Sequence, residues 1–397
     1  MLVNSLIVIP FSEFGTKTRA SREKMMDQLH TNIKHVLKNI FSVEWTKFRR
    51  FNERLVYQFR EHDLPIALDG LKHVPGIKRV HVCIETQTDV KIVGKKLQNI
   101  MNSAHYQISF KNTKIQLLNF KNKGEKKKLL EDINAELKRI ATLHQDLEDD
   151  QNGLHLEVFP DFTYISLEAH EGMDGNPVGT QNPLVAEIIG RPSDLLASLL
   201  SLKRGVVITP IFFNIGNLAL DTNQYKLFGE FCKRVLETFH GFPVKKVFTI
   251  PLDEILTSLF KKDKNLETRH PCGTCIITRR FIMNKAIQNL GLKTFIIQGA
   301  TACDDSIQSC PFNDIMNPRL NFYNNFFLNP LMFKNIQIPE IFERYMRSSP
   351  VKFDKTSSYS WNLCKLKQNE GEDVLSSNKI NAINSTLDAL DITLSSW

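Results

Sequence analysis

The sequence predicts an α/β protein, with a parallel-sheet domain preceded by smaller α+β layers. Three observations predict it. Beyond residue 184, mostly apolar runs of strand length alternate with helical patterns. Before residue 170 the runs follow a β-α-β-α-β order and then a second mixed unit. Between them, Glu171–Pro183 holds Gly172, Gly175, Pro177, Gly179 and Pro183, the composition of a linker. The expected division is residues 1–77, 78–170, a linker at 171–183, 184–365, and a disordered tail at 366–397.

The first unit opens on a β-rich run, Leu2–Phe11. Ser21–Ile40 has helical spacing, since Met25, Leu29, Ile33, Val36, Leu37 and Ile40 can share one face. Phe48–Phe59 reads as a strand, Pro65–His73 as a short helix ended by Pro75-Gly76, and Lys78–Glu85 as a strand. This order suits a ferredoxin-like layer over residues 1–77. In the second unit Asp89–Met101 reads as a helix, Tyr106–Phe110 and Ile115–Phe120 as short strands, and Asn122–Lys128 as a basic turn. Leu129–Leu143 is helical. Leu154–Phe159 and Tyr164–Leu167 make a hairpin around Pro160-Asp161.

Past the linker, strands are expected at Leu184–Ile189, Val206–Phe213, Lys245–Ile250 and Thr294–Gln298. Helices are expected at Leu195–Lys203, Tyr225–Phe239, Cys275–Leu290 and Ile338–Met346. Apolar strands separated by helices mean a parallel sheet buried on both faces. Ligands of such sheets bind at the carboxyl ends of strands, so the loops after Ile189, Phe213 and Gln298 are where chemistry is expected. The tail from Lys365 is rich in Ser, Asn and Asp and predicts disorder, with one weak helix at most.

The chain has 397 residues and a formal charge of +8, unevenly placed. Residues 1–140 hold 26 Lys and Arg against 14 Asp and Glu, whereas the rest hold 25 against 29. A basic first third on a near-neutral body suits a polyanion partner, because neutralised phosphates release counterions. With 42% hydrophobic residues, global disorder and low-complexity architecture are excluded. No apolar run reaches the ~18 residues of a membrane span, and the N-terminus reads as a strand rather than a signal peptide. Seven cysteines are too few, and odd in number, for a disulfide scaffold. A cytoplasmic protein with no membrane partner is expected.

Four places can carry chemistry. Ile189-Gly190-Arg191-Pro192-Ser193-Asp194 joins a buried strand to a helix, where amides point at a phosphate. Ser193 or Asp194 can equally be a plain helix cap. Cys272-Gly273-Thr274-Cys275, at a loop-to-helix junction, can chelate a metal, hold two corners of an iron–sulfur cluster or form a redox dithiol. Two incidental cysteines remain an alternative. Cys364 is isolated, and with Cys83, Cys232, Cys303 and Cys310 it reads by itself as a plain apolar residue. Lys111, Lys114, Lys121, Lys123, Lys126, Lys127 and Lys128 interleave with Phe110 and Phe120, a pattern that suits RNA contact. Those two aromatics can also be core.

Taken in order, these segments resemble the tRNA 4-thiouridine synthetase (tRNA sulfurtransferase) family. Glu13-Phe14-Gly15-Thr16-Lys17 with Arg22-Glu23-Lys24, Leu29 and Asn32-Ile33 resembles its opening strand-to-helix segment. Leu68 to Val80, with Gly76-Ile77, resembles the end of its ferredoxin-like domain, and the basic segment through Ile133 occupies the place of its RNA-binding THUMP domain. Gly172-Met173-Asp174-Gly175-Asn176-Pro177-Val178-Gly179-Thr180, followed by Lys203-Arg204-Gly205, resembles the linker into its adenine-nucleotide (PP-loop) domain. Cys272 to Arg280 resembles the Cys-x-x-Cys-Lys-Arg segment of archaeal-type members. The resemblance covers about residues 3 to 366, with no rhodanese domain after it.

The resemblance implies a tRNA-binding sulfurtransferase that adenylates a uridine with ATP and then replaces its oxygen with sulfur. It implies Gly190, Arg191, Ser193, Asp194, Gly299 and Gln308 as nucleotide contacts. It implies Cys272, Cys275 and Cys364 as catalytic cysteines that hold an iron–sulfur cluster. The implied partners are tRNA and a sulfur donor, either sulfide or a persulfide carrier, with a homodimer as a further expectation. This chain departs from the family's Ser-Gly-Gly-x-Asp-Ser loop: only Gly190 remains of the glycines, Arg191 stands in place of the second, and Asp and Ser are exchanged. The family's later Gly-Glu-Ser-Leu-Gly-Gln segment becomes Gly299-Ala300-Thr301-Ala302-Cys303-Asp304, and Asn329 replaces an Arg before Pro330. The alternative reading is a non-enzymatic tRNA-binding paralogue or sulfur-relay partner that has lost adenylation. A thiol oxidoreductase using Cys272 and Cys275 is a third.

Overall fold

The computed structural model describes residues 5–51, 53–102, 109–143, 153–189, 192–218, 222–240, 248–269, 271–289, 296–297, 327–328, 377–388 and 395–396. Two compact units emerge: Met1–Arg22 with Ile33–Gly175, and Glu23–Asn32 with Asn176–Trp397. The expected helix at Ile338–Met346 lies outside the described residues.

The first unit is built on a seven-stranded sheet in the order β2-β3-β1-β4-β7-β6-β5. The strands are β1 (Ser5–Pro10), β2 (Lys47–Phe51), β3 (Arg54–Gln58), β4 (Ile77–Gln87), β5 (Ser109–Leu117), β6 (Gly153–Val158) and β7 (Phe162–Glu171). Every pair is antiparallel except β5 with β6. Leu6, Ile7 and Val8 in β1 are fully buried, as a central strand of β-branched and apolar residues should be. The long strand β4 pairs with β1 on one side and β7 on the other, so residues on both sides of position 77 share one sheet.

Helix α1 (Arg19–His35) continues into a wider turn, Val36–Ile40, in which the Phe41 amide donates to the Val36 carbonyl. Helix α2 is Leu64–Lys72, with proline in its first turn where no amide partner is needed. Asp89 caps α3 (Val90–Met101) by accepting from the Ile92 amide at 3.0 Å. Helix α4 is Lys123–Leu143 and buries Ile133, Leu137 and Ile140. Gly94 of α3 lies so close to Glu136 of α4 that a Cβ there would collide with its carboxylate.

Three expectations are corrected here. Phe48–Phe59 is a hairpin rather than one strand, with Phe51 opposite Arg54. Tyr106–Phe110 and Ile115–Phe120 are not two strands, because Ser109–Leu117 runs through as β5. At the sheet edge its polar middle costs little. Residues 123–128 are helical rather than a turn: Asn122 Oδ1 accepts from the Gly124 amide at 2.8 Å, and the lysines that follow are good helix formers.

The second unit holds a six-stranded sheet in the order β12-β11-β8-β9-β10-β13. Its strands are β8 (Leu184–Ile188), β9 (Ile208–Asn214), β10 (Phe248–Pro251), β11 (Ile296–Ile297), β12 (Phe327–Leu328) and β13 (Ser395–Ser396). All neighbours are parallel except β13, which pairs antiparallel with β10. Its helices are α5 (Pro192–Lys203), α6 (Thr222–His240), α7 (Leu252–Lys262), α8 (Lys264–Arg269), α9 (Pro271–Asn289) and α10 (Ser377–Asp388). The fold is therefore α/β, as expected. The sequence reading passed over α7 although Leu252, Ile255, Leu256 and Leu259 have helical spacing and are buried. In the tail, residues 377–388 form α10, the one helix that the sequence reading allowed there, and its Ile383 and Leu387 join the core around α9.

The family-like segment around 176–205 has a clear structural reason. Gly205 ends α5 in the left-handed region at φ +88°, with its amide on Leu202 and the Val206 amide on Ser201. Its carbonyl accepts from the amides of Gly179 and Gln181, and a Cβ at 205 would meet Thr180, Asn176 and Pro177. The strand-entry segment is thus wrapped around one helix cap. Asn32 Nδ2 donates to the Val178 carbonyl at 3.0 Å and holds the other side.

Candidate functional site

The sheet order places β8 between β9 and β11, with β10 beyond one and β12 beyond the other. The connections therefore reverse direction at the β8/β11 boundary, the switch point where ligands of parallel sheets bind. The chain leaves β8 at Ile188 and enters α5 at Pro192. Asp194, in the first turn of α5 and 1% exposed, accepts from the Ile189 amide at 3.0 Å through its carboxylate. A buried anion at a helix N-terminus is stabilised by the amide dipoles. Here it also closes the loop on itself. Burial and then the charge of Asp194 push the Cys232 thiol of α6 well up, so that thiol stays protonated.

Helix α9 is the other half of the site. Thr274–Met283 are all buried, yet the stretch contains Thr274, Thr278, Arg279 and Arg280. Two buried arginines are costly unless paired. Arg279 Nη1 forms an ion pair with Glu187 Oε1 of β8, both side chains being almost fully enclosed. That pair ties the helix bearing Cys272 and Cys275 to the strand that feeds the 189–194 loop. Cys272 and Cys275 fall at the second and fifth positions of α9, one turn apart in sequence. Cys275 is buried. Two thiols so spaced can supply two corners of a thiolate-ligated metal or cluster. Along the same sheet edge, Asn214 Oδ1 accepts from the Gly216 amide at 3.0 Å, and Asp253 of α7 lies against Gly216.

Of the sequence-predicted residues, Asp194 and Cys275 are buried in this unit, and Ser193 and Cys272 lie in the first turns of α5 and α9. Gly190, Arg191, Gly299, Gln308 and Cys364 lie outside the described residues. Sequence reasoning missed Glu187, Arg279 and Asp253. The signal for the first two was a charge inside an apolar strand and an Arg-Arg pair inside an otherwise apolar helix.

In the first unit, Lys114 of β5 and Lys121, Lys123, Lys126, Lys127 and Lys128 are exposed, whereas Phe120 is half-buried. Lys111 lies in β5. Three consecutive lysines in the first two turns of α4 oppose the helix dipole. Only Glu125 in that first turn favours it. The run of exposed lysines makes the start of α4 a basic patch.

A parallel sheet whose switch-point loop opens a helix, with an antiparallel-rich α+β unit earlier in the chain, defines a two-unit α/β protein. Residues 6–81 match the ThiI ferredoxin-like domain family. The chain is similar to proteins named tRNA sulfurtransferase. A Bacillus licheniformis protein named "Probable tRNA sulfurtransferase" is 27% identical over 215 residues, 52% of this chain and 51% of that protein. The tRNA sulfurtransferase of Yersinia enterocolitica is 24% identical over 219 residues, 54% of this chain and 44% of that one. The chain thus spans about half the length of the curated relatives it matches. Among solved structures, a 4-thiouridine synthetase–RNA complex with bound ATP aligns over 100% of both chains at a TM-score of 0.70 and 18% identity. PH1313 from Pyrococcus horikoshii aligns over 87% of this chain and 98% of that one, at a TM-score of 0.57 and 18% identity. These two likenesses establish the fold.

Proposed function

We propose that this protein is a tRNA-binding sulfurtransferase of the 4-thiouridine synthetase type. The observation that carries the reading is the buried Glu187–Arg279 pair, which joins the cysteine-bearing helix to the strand feeding the phosphate-type loop. Adenylation and sulfur transfer need these two parts held together. In the reaction, uridine O4 attacks the α-phosphorus of ATP and pyrophosphate leaves. Sulfur then attacks C4, and AMP leaves with the original oxygen. Gly190, Arg191, Ser193 and Asp194 cradle the nucleotide with Gly299 and Gln308, and Arg191 stabilises charge on the reacting phosphate. Cys272, Cys275 and Cys364 are the catalytic thiols. An iron–sulfur cluster on these three would leave one position open for exogenous sulfide. The sulfur donor is sulfide or a persulfide carrier. The exposed lysines of β5 and α4 hold the tRNA backbone, and a homodimer would present two such faces.

A second reading, a tRNA-binding paralogue or sulfur-relay partner without adenylation, is favoured by one observation. The Asp194 carboxylate is turned back onto the Ile189 amide, inside the loop where a phosphate would sit. The test is conversion of α-labelled ATP to AMP with unmodified tRNA present. AMP formation that requires tRNA and falls in Arg191→Ala supports the enzyme. ATP left intact while tRNA is bound selects the paralogue.

A further inference from the structure

The geometry points to a second metal site, in the first unit and independent of the cysteines: His81, His155 and Glu157 form a nitrogen/oxygen site for a divalent transition-metal ion of the zinc class. His81 lies on β4, and His155 and Glu157 on β6. These strands are separated by β7, and the residues by more than seventy positions of sequence. One ligand atom from each of the three residues lies within 4.8 Å of those of the other two. The two imidazole Nδ1 atoms are 3.1 Å apart. A tetrahedral ion with bonds of about 2.0–2.2 Å spaces its ligands about 3.3 Å apart, so the histidine pair is already at that spacing. The intervening strand makes room, since His155 is opposite Ser166 and His81 opposite Ala169, both small.

Three further features suit an ion. Glu157 is 1% exposed; Arg54 Nε holds its Oε1 at 2.9 Å, while its Oε2 is buried with no hydrogen-bond partner. An arginine fixing one carboxylate oxygen and leaving the other for the ion is how outer groups orient ligands. Burial, then the neighbouring His155, lowers the His81 pKa to about 3, and burial, then Arg54, lowers that of His155 to about 4. Both rings are therefore neutral ligands near pH 7. Arg54, Arg79 and Lys114 add positive charge around the pair, and Glu157 offsets that of Arg54, its ion-pair partner. Three protein ligands leave a fourth position for water. The ion would staple β4 to β6 across β7.

The test is cobalt(II) titration of the full chain carrying Cys272→Ser and Cys275→Ser, so that the cysteine pair cannot chelate. The expected result is one equivalent bound, with visible ligand-field bands, no thiolate charge-transfer band, and displacement by zinc. His155→Gln and Glu157→Gln should each weaken binding by about a hundredfold or more, with unchanged circular dichroism. If either variant fails to fold, His81→Gln is titrated in its place. No stoichiometric binding, binding with thiolate charge transfer, or full affinity in a folded ligand variant would overturn the assignment.

Discussion

Replacing Arg279 by Met tests the link between the two halves of the site. Met fills much of the volume of the arginine stem but leaves the Glu187 carboxylate buried without its cation. Both residues are nearly fully enclosed, at 3% and 1% exposure, so solvent cannot replace the lost partner. Breaking a buried pair of this kind costs about 3–5 kcal/mol, a large share of the ~5–15 kcal/mol that holds a typical domain folded. The double variant Glu187→Met/Arg279→Met removes both charges and should recover most of that loss. The coupling energy of the four-variant cycle should then exceed about 2 kcal/mol. The assay is urea unfolding at constant slope, with hydrogen exchange resolving the β8 and α9 amides. A single-variant cost below about 1 kcal/mol, or a double variant as unstable as the sum of the singles, would refute the reasoning.

Three other outcomes are expected. Gly205→Ala forces a side chain into the left-handed region against Thr180, Asn176 and Pro177, and should lower the thermal stability of the second unit by at least ~1–2 kcal/mol. A loss near zero in calorimetry would mean that the cap relaxes freely. Lys126→Ala, Lys127→Ala and Lys128→Ala together should reduce the slope of log affinity for tRNA against log salt by about 2–3, read by filter binding. An unchanged slope would remove α4 from the interface. Burial lowers the His73 pKa, with its Nδ1 against the Asp69 carbonyl at 2.7 Å, so the unfolded chain takes up the proton more readily than the folded one. The stability conferred by neutral His73 is therefore full above about pH 6.5 and lost as pH falls below it. The advantage of the native chain over His73→Gln should shrink between about pH 7.5 and pH 5, measured as melting temperature.

The parallel sheet was legible because β8 and β9 are largely buried and read as mostly apolar runs, β8 broken only by Glu187. The step from β8 into α5 was legible as well, since a strand-to-helix change shows in composition alone. The hairpin of β2 and β3 was not, because alternation continues through its turn. The α4 start was misread since a lysine run looks like a loop until Asn122 is seen capping it. Glu187 and Arg279 were passed over individually, because only the fold brings positions ninety residues apart into contact. His81, His155 and Glu157 escaped for the same reason: their meeting depends on strand order, which local pattern does not encode.

The proposed function is thiolation of tRNA. The most direct measurement is sulfur incorporation into unmodified tRNA by anaerobically prepared protein supplied with sulfide, with and without ATP, read as retardation on a mercury-containing gel. The account predicts a shift that requires ATP and is abolished by Cys275→Ser. Unshifted tRNA in the presence of ATP, sulfide and demonstrated tRNA binding would contradict it.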